Sequence, residues 1–117
     1  LPASRRAAAH PLAVAALTGV LEAHAIPFLV ATAWTTDAFY RETPAKVQLR
    51  KSEGCLCVEM EASALFAVAQ FREIVLGQLL YAGDDVSGLD WDSRGWVHRH
   101  DHREQVLRLA FEACRQL

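Results

Sequence analysis

The sequence predicts an α/β domain with three layers, in which helices cover both sides of a mostly parallel or mixed central sheet. Short apolar runs, partly β-branched, alternate with segments of helical spacing, which is the order typical of parallel strands joined by helices. A length of 117 residues suits one domain, residues 1–117, with a single core. Apolar residues make up 52% of the chain, which excludes a disordered protein.

Each element is expected from its own pattern. Pro11 suits the first turn of the first helix, and Pro27 suits only the first residue of a strand. The continuous apolar character of the strands indicates burial on both faces. The expected order is helix 12–24, strand 26–33, a short helix around Val47 and Leu49 ending near Gly54, strand 55–58, helix 61–72, strand 74–82 and helix 99–115. The apolar sides expected on the last two helices are Leu65, Phe66, Val68 and Ala69, then Val106, Leu107, Leu109, Ala110 and Phe111.

The composition excludes several classes of function. A formal net charge of −2 gives no electrostatic basis for nucleic-acid binding. No apolar run approaches the roughly 20 residues that span a bilayer. The odd count of three cysteines indicates buried, reduced thiols in a cytoplasmic protein. The first residues resemble a signal peptide only faintly, and a start at Leu1 rather than Met suggests a fragment or a processed product.

Groups suited to ligand recognition follow three of the predicted strands. If the strands are parallel neighbours, the loops 35–40, 59–61 and 83–85 emerge at one edge of the sheet, where open α/β sheets bind ligands. Phe39 and Tyr40 could stack on a flat ring, Glu61 could accept hydrogen bonds from a vicinal diol, and Asp84 could exchange a proton. A flat base joined to a diol-bearing sugar is a nucleoside. The alternative is that Glu59 and Glu61 merely cap the following helix.

Three motifs in this order resemble the nucleoside phosphorylase and nucleosidase superfamily, of the purine and uridine phosphorylase type. Val58-Glu59-Met60-Glu61-Ala62-Ser63 is similar to its Val-Glu-Met-Glu-Ala signature, Thr36-Asp37-Ala38-Phe39-Tyr40 to its Asp-x-Phe-Tyr segment, and Ala82-Gly83-Asp84 to its Val-Ser-Asp motif. The resemblance covers nearly all of this chain but only the C-terminal half of the family. It implies a partial version of the phosphorylase/hydrolase-like fold.

The resemblance also implies roles for individual residues. Asp84 matches the acid that protonates the departing purine, Phe39 an aromatic that packs on the base, and Met60 a residue against the ribose. Glu61 matches the carboxylate that binds the ribose hydroxyls, and Glu59 an acid near sugar and base. Gly83 replaces the usual Ser. Supporting roles are expected for Tyr40, Asp85 and Arg94.

The predicted function is therefore cleavage of the N-glycosidic bond of a nucleoside, purine rather than uridine, with phosphate as co-substrate and no cofactor or metal. The Gly-rich phosphate loop and arginines of the family's N-terminal half have no counterpart here, and Arg5 and Arg6 lie in no Gly-rich context. We therefore expect a truncated member, or a homo-oligomer or chain that another subunit completes.

Two other classes of function remain open at this point. The chain could retain a nucleoside pocket as a non-catalytic binding or interaction module. His98, His100 and His102 would share one face of an extended segment and could bind a transition metal, although Asp101 also suits a helix N-cap. Trp34, Trp91 and Trp96 are interpreted as core or subunit-contact residues.

Overall fold

The computed structural model describes residues 3–88 and 90–117. Its main elements are helix α1 (Pro11–Ala23), strand β1 (Thr32–Thr35), helix α2 (Pro44–Ser52), strand β2 (Cys55–Glu59), helix α3 (Ala62–Arg72) and helix α4 (His100–Cys114). Short 3₁₀ turns cover Phe39–Arg41 and Trp96–His98. The α/β class is confirmed, and the four helices lie within one or two residues of their expected positions.

The two strands pair in parallel, as expected. Thr32 lies opposite Cys55 and Thr35 opposite Glu59, with an irregularity between Thr32 and Ala33. The backbone N–H of Thr36 donates to the carbonyl oxygen of Glu59 at 2.8 Å, which extends the pairing past the strand end. The loop after β1 and the start of α3 therefore leave the sheet side by side, while α2 packs on β2 and α3 on β1.

Helices α1 and α4 pack together and form the main hydrophobic core. Before α1, the Nδ1 of His10 accepts a hydrogen bond from the backbone N–H of Leu12 at 3.2 Å, and Pro11 occupies the first turn. Val20 is 1% exposed, which makes it the most deeply buried large side chain described. The core comprises Ala16, Val20, Leu21, Leu109 and Ala113, with Leu17, Ile26, Phe28 and Leu79 packed against it.

The strand predicted at residues 26–33 is displaced toward the C-terminus. Regular pairing begins only at Thr32, and the segment before it instead packs Ile26 and Phe28 on the α1–α4 core. Pro27 has no N–H to donate to a neighbouring strand, and residues 26–31 pair with no strand in the described part of the chain. The apolar pattern therefore predicted burial correctly at Ile26 and Phe28 but wrongly at Leu29 and Val30, which are 81% and 69% exposed.

The third predicted strand, residues 74–82, is also wrong as an assignment. The segment has no regular secondary structure but lies against α1, where the carbonyl oxygen of Leu76 accepts from the N–H of His10 at 2.8 Å. A Cβ atom at Gly77 would lie 2.9 Å from the Cβ of Ala13, so only glycine permits this approach. A segment that packs on a helix can carry the same run of apolar residues as a buried strand, so the sequence did not distinguish the two.

Expected burial is wrong for much of the sheet half of the molecule. Leu56 on β2 is 66% exposed, so this strand is not buried on both faces. Other large apolar side chains expected inside are also exposed, among them Leu65 and Val68 on α3, Leu107 and Phe111 on α4, and Leu29, Val30, Ile74, Val75 and Leu80 in the predicted strands. In the described part of the chain a sheet of two strands does not provide enough surface to cover them.

The three thiols are free, but Cys57 and Cys114 are exposed and Cys55 is half-buried, so full burial is wrong for all three. Among the described residues, no helix combines the length and the apolar character needed to cross a membrane.

Candidate functional site

The loop after β1 presents two aromatic rings to solvent. The buried hydroxyl of Thr36 donates to the carbonyl oxygen of Ala38 at 3.1 Å, which turns the chain as it leaves the strand. The 3₁₀ turn that follows leaves Phe39 75% exposed, and its ring meets Tyr40 edge to face at a centroid distance of 5.6 Å. Asp37 pairs with Arg41 across this turn. The outer face of Phe39 is thus available to a flat ligand.

Glu59 is held tightly at the end of β2. One carboxylate oxygen accepts from the hydroxyl of Thr35 on the neighbouring strand. The other accepts from the backbone N–H groups of Glu61 at 2.8 Å and Ala62 at 2.5 Å. Thr35 in turn accepts from the N–H of Ser63 at 3.1 Å. Glu59 therefore joins the two strand ends to the first turn of α3.

Opposing influences act on the pKa of Glu59. Desolvation on partial burial is the largest and acts to raise it, but the hydrogen bonds from Thr35, Ala62, Glu61 and Gln78 together hold the pKa below its ordinary value. The carboxylate is consequently ionised near neutral pH, as a helix-capping acid should be. The bond from Gln78 also places the 74–82 segment beside this strand end.

Glu61 differs sharply from Glu59 although it lies only two residues away. Its backbone occupies the N-cap position of α3, but its side chain makes no capping hydrogen bond. It is exposed, as is Met60 beside it, at 46%. The capping alternative thus applies to Glu59, whereas the oxygens of Glu61 remain open to a ligand.

The loop that carries Asp84 is closed by a pair of backbone hydrogen bonds. The N–H of Asp85 donates to the carbonyl oxygen of Asp92 at 2.8 Å, and the reverse bond measures 3.0 Å. The guanidinium of Arg94 donates to Asp85 at 2.8 Å. Hydrogen bonds from Ser87 are the main cause of the lowered pKa of Asp85. Desolvation acts against them, and Arg94 lowers the pKa further. Arg94 thus pairs with Asp85 rather than with Asp84.

Asp84 has a different partner. The indole Nε1–H of Trp91 donates to its Oδ2 at 2.6 Å. Trp91 is 65% exposed, so its interpretation as a core residue is wrong. Trp34 lies half-buried on β1 under the guanidinium of Arg50, and Trp96 packs beneath Arg103.

Glu42 follows the aromatic pair in the chain and is half-buried. Its pKa is raised first by desolvation and then by the negative charge of Asp84. Among the described residues, the pairing of β1 with β2 brings two of the three predicted loops, 35–40 and 59–61, side by side.

The segment that contains His98, His100 and His102 is not extended, although the predicted metal site required an extended segment with all three histidines on one face. His98 ends a 3₁₀ turn, while His100 and His102 begin α4, where residues two apart point to different sides. In the described segments no group of three potential ligands is close enough to hold a metal ion. Asp101 lies in the first turn, and Arg99 rather than Asp101 is the N-cap.

The predicted edge is an open surface. A concavity of about 320 Å³ lies instead along α1 and the C-terminus, and a second on the outer side of α4. Their lining residues include none of the predicted site residues; those of the first are Leu12, Ala15, Ala16, Gln116 and Leu117.

Sequence reasoning missed three contributors to this edge, namely Thr35, Glu42 and the Trp91 bond to Asp84. Thr35 had a detectable signal, because a hydroxyl at a strand end beside an acid-capped helix suits a bridging role. Glu42 and Trp91 had no such signal. Both relate to Asp84, which lies 42 residues from Glu42 and seven residues from Trp91 in the chain, in a loop of irregular geometry.

Comparison with known proteins bears on this arrangement. No curated protein matches the chain. The sequence model of the phosphorylase superfamily matches residues 1–116, which include both strands, all four helices and the three loops described above. The chain therefore belongs to the phosphorylase superfamily, the superfamily of the nucleoside phosphorylases.

Proposed function

We propose that this protein cleaves the N-glycosidic bond of a purine nucleoside with phosphate, yielding free base and ribose 1-phosphate. The observation that carries the proposal is the contrast at the end of β2. Glu59 holds the strand ends and α3, whereas the exposed carboxylate of Glu61, beside Met60, makes no hydrogen bond with the described residues. An exposed carboxylate at the carboxyl edge of an α/β sheet suits recognition of paired hydroxyls.

The remaining roles follow from the placement of the loops. The exposed face of Phe39 would cover the base, Met60 would contact the ribose and Glu61 would accept hydrogen bonds from its hydroxyls. Asp84 would donate a proton to the base as the bond breaks, because negative charge develops on the departing purine. Glu59 would act through Glu61 and α3, with Tyr40 and Asp85 supporting their loops.

Phosphate would act as co-substrate, with no cofactor. The arginines in the described loops, Arg41 and Arg94, already pair with Asp37 and Asp85. Phosphate-binding groups would therefore come from a neighbouring subunit of a homo-oligomer, or from a further part of a longer protein. Exposed apolar side chains on and around the sheet, such as Val30, Leu56 and Phe71, support such a covering partner. The setting would be nucleoside salvage in the cytoplasm.

The decisive experiment measures release of free base from inosine, adenosine and uridine by the purified chain, with and without phosphate. Phosphate-dependent release from the two purine nucleosides is the expected result. Release that needs no phosphate would instead assign a nucleosidase, and a preference for uridine would overturn the purine assignment. An oligomeric mass in solution should accompany activity.

The Asp84→Asn variant tests the acid directly. Its amide can still accept the bond from Trp91 but cannot donate a carboxylic proton, so base release should fall by at least about 100-fold. An unchanged rate would remove Asp84 from the mechanism. Thermal unfolding of the variant should match the wild-type chain, because the residue is exposed.

A non-catalytic nucleoside-binding or interaction module is the second candidate. The open edge and the exposed apolar surface favour it, because a reaction that must exclude water needs a covered site. Calorimetry distinguishes the two candidates: nucleoside binding that depends on Glu61, without release of base under any phosphate condition, would support the module. A metal-binding function has no supporting geometry in the described histidine segment.

A further inference from the structure

We propose that Trp91 is a positioning residue for Asp84, and that its indole N–H selects which carboxylate oxygen carries the proton delivered to the base. The inference rests on the proposed function and adds a residue to it. The Nε1–H of Trp91 lies 2.6 Å from Oδ2 of Asp84, a short hydrogen bond to a carboxylate.

The fold of the loop brings these two side chains together. The paired backbone bonds between Asp85 and Asp92 place their chain neighbours Asp84 and Trp91 at the same end of the loop. Arg94 braces it further, with its guanidinium on Asp85 at 2.8 Å and its backbone N–H on Asp92 at 2.9 Å. Asp84 therefore bonds the neutral indole of Trp91, while the guanidinium of Arg94 pairs with the adjacent Asp85.

The chemistry of an indole makes this bond directional. Its N–H is a donor only and does not ionise at any ordinary pH, so the oxygen it contacts must act as an acceptor. The oxygen without the proton is the better acceptor of a neutral carboxyl group, so this bond favours the proton on Oδ1 over Oδ2. Trp91 thereby fixes both the donor oxygen and the orientation of the carboxyl group, which an exposed aspartate would otherwise sample freely.

The same bond would strengthen during the reaction. As the glycosidic C–N bond breaks, its electron pair moves to the base, the proton moves from Oδ1 of Asp84 to a ring nitrogen, and a phosphate oxygen bonds to the sugar carbon. Asp84 becomes a carboxylate in this step, and a hydrogen bond to a charged acceptor is stronger than one to a neutral acid. An interaction that grows toward the transition state raises kcat more than it changes KM.

The test compares Trp91→Phe with the wild-type chain, and uses Trp34→Phe as a matched loss of an indole elsewhere. Trp91→Phe should lower kcat for inosine about tenfold and change KM less than twofold, because solvent at this exposed site weakens the bond. A nucleoside already methylated at N7 leaves without a proton, so its kcat should be the same in both chains. Trp34→Phe should affect both substrates equally.

A spectroscopic readout keeps the hydrogen bond separate from activity. The indole N–H resonance that disappears in Trp91→Phe belongs to Trp91, and it should move upfield in Asp84→Ala, where the acceptor is gone. An unmoved resonance overturns the inference. So does equal loss of rate on inosine and on the N7-methylated nucleoside, which would indicate a merely structural residue. If the wild-type chain releases no base, the proposed function fails, and the catalytic role of Trp91 fails with it, whatever the resonance shows.

Discussion

The α1–α4 pair and the β1–β2–α3 region use apolar side chains in opposite ways. Along α1 and α4, side chains such as Val20 and Leu109 are almost completely buried against each other. Around the sheet, Leu56 on β2 and Phe71 on α3 remain mostly exposed, and the polar groups at the strand ends make the organised contacts. Apolar burial is thus concentrated in one region, and hydrogen bonding between polar side chains and strand ends in the other.

The difference has a physical basis. Two helices can bury a shared face with no other element, because each satisfies its own backbone hydrogen bonds. A sheet of two strands has unsatisfied edges and two faces, so it needs further strands or a partner to become a core. The polar groups Thr35 and Glu59 at its carboxyl end meanwhile bond each other and the first turn of α3, so this end of the sheet is held by hydrogen bonds rather than by apolar packing.

The largest effect is expected from replacing a leucine by alanine in each region and comparing the losses of stability. Leu109→Ala should lower the free energy of unfolding by about 2–5 kcal/mol, because it leaves a cavity at a site only 7% exposed. Leu56→Ala, at 66% exposed, should change it by less than about 0.5 kcal/mol. Denaturant unfolding of dilute protein measures both. A comparable loss at Leu56 would show that the sheet face is covered in solution.

Glu61→Ala should alter recognition without altering stability. Removing a carboxylate that bonds ribose hydroxyls should weaken nucleoside binding about 10- to 100-fold, the range for hydrogen bonds to a charged group. Calorimetric titration with inosine measures the change, and Glu61→Gln provides a control that retains the shape. Intact affinity would refute the diol-binding role, and a large drop in stability would mean that Glu61 is structural.

Glu59→Gln should show the reverse behaviour. Losing the ionised acceptor for Ala62 and Glu61 should lower the free energy of unfolding by about 1 kcal/mol at pH 7, as for other helix caps. Because the folded-state pKa of Glu59 is lowered from 4.5, its contribution is present above that pH and is lost as the pH falls through the folded-state pKa. The two chains should converge in acid. A difference that is constant with pH would contradict this.

The smallest effect on stability is expected at Glu42, where replacement by Gln should stabilise the protein rather than destabilise it as at Glu59. Its pKa is raised above 4.5 by desolvation and by Asp84, so its favourable contribution is present at low pH and is lost as the pH rises through the folded-state pKa. Glu42→Gln should therefore stabilise the protein slightly at pH 7, by up to about 0.5 kcal/mol because solvent screens the pair, and by nothing near pH 4. The gain should be smaller in the Asp84→Asn background but should persist there, because desolvation, the larger cause, remains.

Much of the molecule was accessible from the sequence because its signals are local. The start of α1 follows from Pro11 in its first turn, a signal that acts within four positions, whereas the matching role of Pro44 in α2 was not predicted. The parallel pairing at Thr35 and Glu59 followed from a helix placed between two apolar runs. Predicted site residues in the loops after β1 and β2 lie next to each other for the same reason.

The errors occurred where one pattern had two physical causes. Ile26, Phe28 and Leu79 are apolar and pack on the α1–α4 core, and periodicity alone does not distinguish such packing from strand pairing. Burial was likewise overestimated for Leu65 and Val68, because helical spacing identifies an apolar face but not whether anything covers it.

The sequence alone determined the class of fold, the positions of the helices and the family, since these depend on near neighbours in the chain and on motif order. Tertiary structure decided the partners of the acids that follow the strands. Thr35 and the first turn of α3 bond Glu59, and Glu61 has no hydrogen-bond partner among the described residues. Trp91 bonds Asp84 and Arg94 bonds Asp85. Such choices depend on which hydrogen-bond partners arrive in space, and chain spacing does not specify that.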